Sequence, residues 1–392
     1  MEPSEVPNAS QLERLRSLAG PALEGEDGAW VVGGVVRDLL LGREPGGIVD
    51  VVVEGDALAV ARRAAQRVGG RMVVHERFGT ATVEVGGGGL DVAAARSERY
   101  ARPGALPDVQ LGATVEEDLA RRDFTVNAIA VNVHTGTLCA YPGALDDVAA
   151  GVLRVLHDRS FVDDPTRLLR LARYSARLGF AAEPHTAALA ADAVTCVRTV
   201  SPSRIGSEVR LLLREPLPDA LLALNGGLGR EAVHPTFTAR PEVIARAVSW
   251  PLAAFASTLG AAPDLAARLD ALEFPAGWRD AVVAAVERAP ALAADLAARP
   301  TDVDLWRRAR SERPETVALA AALDPAAEPA ARRWLDDVRH RRLEITGDDL
   351  VAAGITGPPV GRGLEAAMEA ALAGAAPDRE AQLATALAAA RA

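Results

Sequence analysis

Strand and helix signals alternate as far as Gly143, and from there to Ala392 almost every segment reads as helix. That switch restricts the chain to an α+β architecture, with a mixed sheet and its helices in front and a long helical remainder behind. Residues 30–32 form a β-prone run ending at Gly33-Gly34, and residues 35–41 read as a helix stopped by Gly42. Residues 49–53 are a β-branched run of buried-strand type. Asp56 caps a helix over 57–68 that Gly69-Gly70 ends. Residues 71–75, 80–85 and 90–94 read as successive strands. In the polar stretch 1–27 a short helix is expected over 11–18. Beyond Gly143, helices are expected over 166–178, 203–214, 241–247, 280–286, 315–322 and 328–342.

Composition narrows the chemistry. All 43 basic residues are arginine, which excludes a Walker A lysine, a pyridoxal Schiff base and any lysine general base. Cys139 and Cys196 lie too far apart for a Cys-x-x-Cys metal site, and no disulfide framework is expected. No apolar run reaches membrane length and no signal segment is read, so no membrane contact and a cytoplasmic location are expected. The net charge of −10 argues against nonspecific nucleic-acid binding but leaves room for a local basic face.

Five motifs carry the chemistry. Gly33-Gly34-Val35-Val36-Arg37-Asp38 follows a strand and opens a helix, which suits either a tight turn or a phosphate cradle. Asp50 sits in the apolar run of residues 49–53, and Asp91 in the strand of residues 90–94. Such acids are solvent-facing strand residues, or they converge on a metal if their strands are neighbours. Residues 117–128 hold Arg121, Arg122, Asp123 and Asn127 in a pattern too polar for an amphipathic helix or strand. A site for ribose and phosphates, or a loop ion-pair network, fits them. In Asp163-Asp164-Pro165-Thr166-Arg167, Asp164 is a plausible N-cap with Pro165 at the first helical position. Asp164 and Arg167 share a face that Arg170 extends, offering an acceptor and a two-pronged donor to a base edge, or merely a local ion pair.

In this order the motifs resemble the class II tRNA nucleotidyltransferases, the CCA-adding enzymes, and the related bacterial poly(A) polymerases. Residues 78–80, 96–100, 103–109, 201–205 with Glu208, and 345–361 extend the resemblance, which covers roughly half the chain. It implies a polymerase-β-like nucleotidyltransferase head over 28–142, a helical neck over 143–215, and an RNA-binding helical body and tail over 216–392. Asp50 and Asp91 would bind Mg²⁺ and be catalytic. Gly33, Gly34, Arg37 and Asp38 would lie at the triphosphate, and Arg121, Arg122, Asp123 and Asn127 would hold ribose and phosphates. Asp163, Asp164 and Arg167 would match the base-reading element. The partners implied are tRNA, CTP and ATP; protein partners stay open.

The chain departs from the family at Ile48-Val49-Asp50, where the pattern is Asp-x-Asp. Isoleucine can ligate nothing, and two-metal phosphoryl transfer needs several carboxylates. Glu44 and Glu54 stand at the wrong spacing. The reading is CCA addition with weakened turnover. A-only or poly(A) addition and an inactive RNA- or nucleotide-binding protein are the alternatives. Residues 101–117 are long enough for the flexible loop that CC-only adders lack, which disfavours CC-only addition. Arg332, Arg333, Arg339, Arg341 and Arg342 around His340 would meet an RNA backbone or form a solvated face.

Overall fold

The structure, a computed structural model, describes residues 7–75, 79–86 and 88–392; Phe78 of the 78–80 motif lies outside them. The chain divides into two compact units, residues 1–232 and 233–392.

The first unit opens with α1 (Ala9–Leu23), β1 (Ala29–Val32), α2 (Gly34–Leu40), β2 (Ile48–Val53) and α3 (Ala57–Val68). The strands β3 (Arg71–His75), β4 (Thr80–Val85) and β5 (Gly88–Ala94) follow, then a separate antiparallel ribbon of β6 (Arg96–Arg99) and β7 (Asp108–Leu111). Next come α4 (Val115–Ala120), β8 (Ile129–Val131) and β9 (Leu138–Ala140). Then α5 (Ala144–Ala150), β10 (Val152–Leu153), α6 (Ser160–Asp163), α7 (Thr166–Leu178), β11 (Ala181–Ala182), α8 (Pro184–Ala193) and α9 (Pro202–Leu212) carry the chain toward its second unit.

Among the described residues seven strands form one mixed sheet in the order β3-β4-β5-β2-β1-β8-β9. Its central pair, β2 and β5, is parallel, and its other pairs are antiparallel. Helices lie on both faces: α3 on one, and α4 over part of the other, where Val115 and Leu119 join Val32, Val52 and Ala130 in one core cluster. Helix α3, capped by the Asp56 carboxylate on Ala59 N–H and ended by Gly69 at φ 63°, buries Ala57, Val60, Ala61 and Ala64 and packs across β4 and β5. Strand β2 shows the consequence of a two-residue period: Val49 and Val51 are buried, while Ile48 and Asp50 are exposed on the opposite face.

Strand structure does not end wholly at Gly143, because β10 and β11 pair as a short parallel bridge. Helix α1 outruns the expected 11–18, beginning beyond a capping box of Asn8 and Gln11. Helix α7 begins at Thr166 rather than at Pro165. Asp164 therefore precedes the cap position, although its carboxylate still accepts Thr166 N–H at 3.1 Å.

In the second unit the helix expected over 280–286 extends across Ala276–Ala297 through Pro290. The helix expected over 328–342 stops at Asp336, and a 3₁₀ turn follows over Val338–His340. Ile345, Leu350, Ala367, Ala386 and Ala390 form a small core of their own at the end of the chain. The arginine cluster is largely compensated: Arg332 pairs with Glu328, Arg333 with Asp302 and Arg341 with Asp337. Arg339 lies 5.7 Å over Trp250 and 5.9 Å over Trp334.

Candidate active site

The part of the Asp50 face that α4 does not cover floors an open cleft of about 740 Å³ in the first unit. Register builds its centre. In the parallel pair Asp50 stands opposite Asp91, and in the next antiparallel pair Asp91 stands opposite Thr82. These three side chains form a row across three strands. Thr82 Oγ1 donates to Asp91 Oδ1 at 2.6 Å. The cleft walls raise the Asp50 pKa by partial desolvation; Arg122 opposes this and Asp91 adds to it.

Arg122 and Gly33 form the next layer. Gly33 adopts φ 71° where β1 turns into α2, a conformation that favours glycine. A Cβ there would meet Arg122 Nη1 at 3.0 Å. The fully buried Asp118 holds both arginines, at 2.7 Å to Arg121 Nη2 and 3.0 Å to Arg122 Nη2. Arg122 Nε is buried without a hydrogen-bond partner.

A continuous polar network runs behind this layer. Arg37 Nη1 donates to Asn127 Oδ1 at 2.6 Å, and Asn127 Nδ2 donates to Asp123 Oδ1 at 3.0 Å. Arg170 Nη2 meets Asp123 Oδ2 at 2.6 Å. Burial pushes the Asp123 carboxyl up, but the Arg170 charge and hydrogen bonds from Asn127, Arg170 and Phe124 N–H outweigh it and hold it at about 2. Tyr174 anchors the far end, with the guanidinium carbons of Arg37, Arg170 and Arg173 4.9–5.6 Å from its ring centre.

The opposite wall carries the start of α7. Arg167 is buried, donating to Ser160 Oγ at 2.6 Å and to the Arg121 carbonyl at 2.7 Å. Asp164 pairs with Arg204 at 2.8 Å rather than with Arg167. Tyr100 donates to Glu98 at 3.0 Å, and burial together with that carboxylate pushes its pKa up to about 12.

The cleft therefore gathers Gly33, Gly34, Asp50, Asp91, Arg121, Arg122, Asp123 and Asn127 with Asp164, Arg167 and Arg170. Three expected residues do not line it. Arg37 is 1% exposed and bonded to Asp38 and Asn127, so it braces α2 from within. Asp38 is its counter-ion. Asp163 turns to Arg159 at 2.7 Å. Sequence reading did not select Asp118, Thr82 or Tyr174 as site residues. For Asp118 the signal was its place three and four residues before two arginines.

Asp50 and Asp91 are an all-oxygen pair whose mutual repulsion a cation would relieve, so they fit one divalent ion completed by phosphate oxygens. Among the described residues, no three His, Cys, Asp or Glu side chains come together as a metal-ligand set. Ile48, where the resemblance expects a further carboxylate, is 53% exposed on the same face as Asp50. Glu54 cannot replace it, since it accepts Val115 N–H at 2.7 Å, and Glu44 pairs with Arg14.

The mixed sheet places two register-paired aspartates in a cleft lined by both arginines and carboxylates, an arrangement suited to binding a metal and a nucleotide phosphate. The model of the poly A polymerase head domain matches residues 29–154. A CC-adding tRNA nucleotidyltransferase of Deinococcus radiodurans is 32% identical over 363 residues, covering 90% of this chain and 86% of that protein. An A-adding tRNA nucleotidyltransferase of Halalkalibacterium halodurans is 43% identical over 215 residues; these are 53% of this chain and 50% of that protein, so the chain spans about half of that relative's length. A solved CCA-adding enzyme in an apo form matches with a TM-score of 0.82 at 29% identity, over 97% of this chain and 96% of that one. The Thermotoga maritima CCA-adding enzyme in complex with tRNA matches at 0.77 and 28% identity, over 97% of both chains. The chain belongs to the tRNA nucleotidyltransferase family, whose chemistry calls for a divalent metal. Among the described residues no helix is long and apolar enough to cross a membrane.

Proposed function

We propose that this chain transfers CMP or AMP from CTP or ATP to the 3′-hydroxyl of tRNA with release of pyrophosphate, and that its turnover is slowed by Ile48. The observation that carries this is the register of Asp50 and Asp91 in a cleft that Gly33 and Arg122 also line. Asp50 and Asp91 would hold one divalent cation, Mg²⁺ in our reading, that would screen the triphosphate, and activation of the attacking hydroxyl is the part that Ile48 leaves weak. Gly33 and Gly34 leave room for phosphate oxygens, and Arg122 supplies the adjacent positive charge. Asp123, Asn127 and Arg170 spend most of their polar atoms on one another, so they hold the ribose wall in shape. Asp164 and Arg167 present an acceptor and a donor toward the base from rigid settings. The head is read as 28–142, the neck as 143–215 and the RNA-holding body and tail as 216–392. A cytoplasmic protein is the matching location.

A second reading, A-only addition, draws on the 43% identity to an A-adding relative. One assay separates the two. Purified protein is incubated with Mg²⁺, tRNA lacking its 3′ end, and labelled CTP or ATP, singly and together. CTP incorporation followed by AMP addition when both nucleotides are present supports CCA addition. ATP incorporation confined to tRNA ending in CC supports the second reading, and no incorporation under any condition defeats both.

A further inference from the structure

We infer that Thr82 and His75 act together as a positioning pair that sets which oxygen of Asp91 faces the metal. Thr82 Oγ1 lies 2.6 Å from Asp91 Oδ1 and 3.1 Å from His75 Nε2. A hydroxyl has one proton and an ionised carboxylate has none. The Thr82 proton therefore goes to Asp91, and the Thr82 lone pair accepts from His75 Nε2–H. The result is a directed chain, His75 to Thr82 to Asp91, whose three members line the cleft.

The sheet supplies the geometry. Thr82 stands opposite Asp91 in one antiparallel pair and opposite Val73 in the next. His75 is two residues beyond Val73 and so shares its face. With Oδ1 committed to Thr82, Oδ2 is the oxygen left for a cation beside Asp50. Ile48 makes this consequential: with a third carboxylate a poorly aimed Asp91 would be compensated, whereas with two ligands its orientation decides affinity. Partners that orient a ligand in this way typically change metal affinity by 10–100-fold when removed.

The inference rests on the proposed metal role of Asp91, and the test separates the two. Mn²⁺ is titrated into the protein with CTP and no RNA, so no turnover occurs, and binding is followed by loss of the free Mn²⁺ resonance beyond that caused by the same CTP without protein. Thr82→Val is expected to weaken Mn²⁺ binding by roughly tenfold, with metal-free CTP binding unchanged, and Thr82→Ser is expected to restore it. His75→Ala is expected to weaken it by a smaller factor, and it serves as the test if Thr82→Val does not fold. In transfer assays kcat falls while KM for CTP holds. Wild-type Mn²⁺ affinity in both Thr82→Val and His75→Ala, alongside weakened binding in Asp91→Asn, overturns the positioning pair alone. Wild-type affinity in Asp91→Asn overturns the metal role of Asp91 and the pair with it.

Discussion

Arg122 Nη1 lies 3.0 Å from the point where a Cβ on Gly33 would stand. The loop glycine and the basic side chain thus define one another across the mouth of the cleft. Gly33→Ala has two penalties, a left-handed backbone at φ 71° and displacement of Arg122. The backbone term alone is about 1–2 kcal/mol. Gly34 is the contrast, because it opens α2, has no positive φ, and a Cβ there meets nothing closer than Arg37 Nη2 at 3.5 Å. Urea unfolding and CTP titration should show Gly33→Ala less stable and weaker in binding, with Gly34→Ala close to wild type in stability. Equal stability and affinity in Gly33→Ala would remove the argument.

Asp123 gives a pH signature. Its folded pKa of about 2 lies below the unfolded value of 3.8. A depressed carboxylate contributes stability above its unfolded pKa and loses it as pH falls through the folded one, so the window here is from about pH 4 down to about pH 2. The contribution is on the order of 2 kcal/mol. Wild type and Asp123→Asn should differ in unfolding midpoint at neutral pH, and the difference should shrink across that window. A difference independent of pH would mean that Asp123 acts through packing rather than charge.

Arg167 is fixed by Ser160 and by the Arg121 carbonyl before any nucleotide arrives. Rigid presentation of a donor is what base discrimination requires. Arg167→Ala should raise KM for CTP and ATP and relax the choice between them by about 1–3 kcal/mol, the worth of a good bidentate base contact. Unchanged preference in a folded variant would leave Asp164 and Arg167 as framework residues.

The elements were legible where local chemistry decided them. Helix α3 runs from the Asp56 cap to Gly69 as its cap residues dictate, and β3 and β4 follow their β-branched runs. Arg37 shows what was not legible. Beside paired glycines it reads as a phosphate ligand, yet Asn127, 90 residues away, and Tyr174 draw it inside. No local pattern encodes that capture. Thr82 was equally silent, since a threonine in an alternating strand has no special signature until register sets it against Asp91.

RNA binding should carry an electrostatic signature despite the net charge of −10. A protein that holds RNA through phosphates loses affinity steeply as salt rises. With Arg332, Arg333 and Arg341 partnered by acids, the slope measures how many arginines give up those partners to phosphates. Filter binding of tRNA between low and physiological salt should show a clear fall. A flat response, or no binding at low salt, would point to a function with nucleotide alone.

In the proposed mechanism Ile48 is the residue that limits turnover. It lies on the same face as Asp50, two residues earlier, and pairs across the sheet with Gly89, which offers no side chain in its place. Because Ile48 is 53% exposed, an aspartate there is not forced into an apolar interior and meets little desolvation cost. It is also smaller than isoleucine, so nothing is overpacked. Ile48→Asp therefore adds a third carboxylate beside Asp50 and Asp91, and better alignment of the attacking hydroxyl is worth roughly a hundredfold in rate, about 2.7 kcal/mol. Nucleotide binding should change much less, since Gly33, Arg122, Asp164 and Arg167 are untouched. The expected outcome is a wild type that binds CTP and ATP but adds nucleotides slowly, and an Ile48→Asp variant that adds them faster at similar KM. Full wild-type turnover with no gain in the variant would show that Asp50 and Asp91 suffice. A variant that folds and binds but stays inert would show that the site has decayed beyond Ile48, and the chain would then be an RNA- or nucleotide-binding protein built on an enzyme's frame.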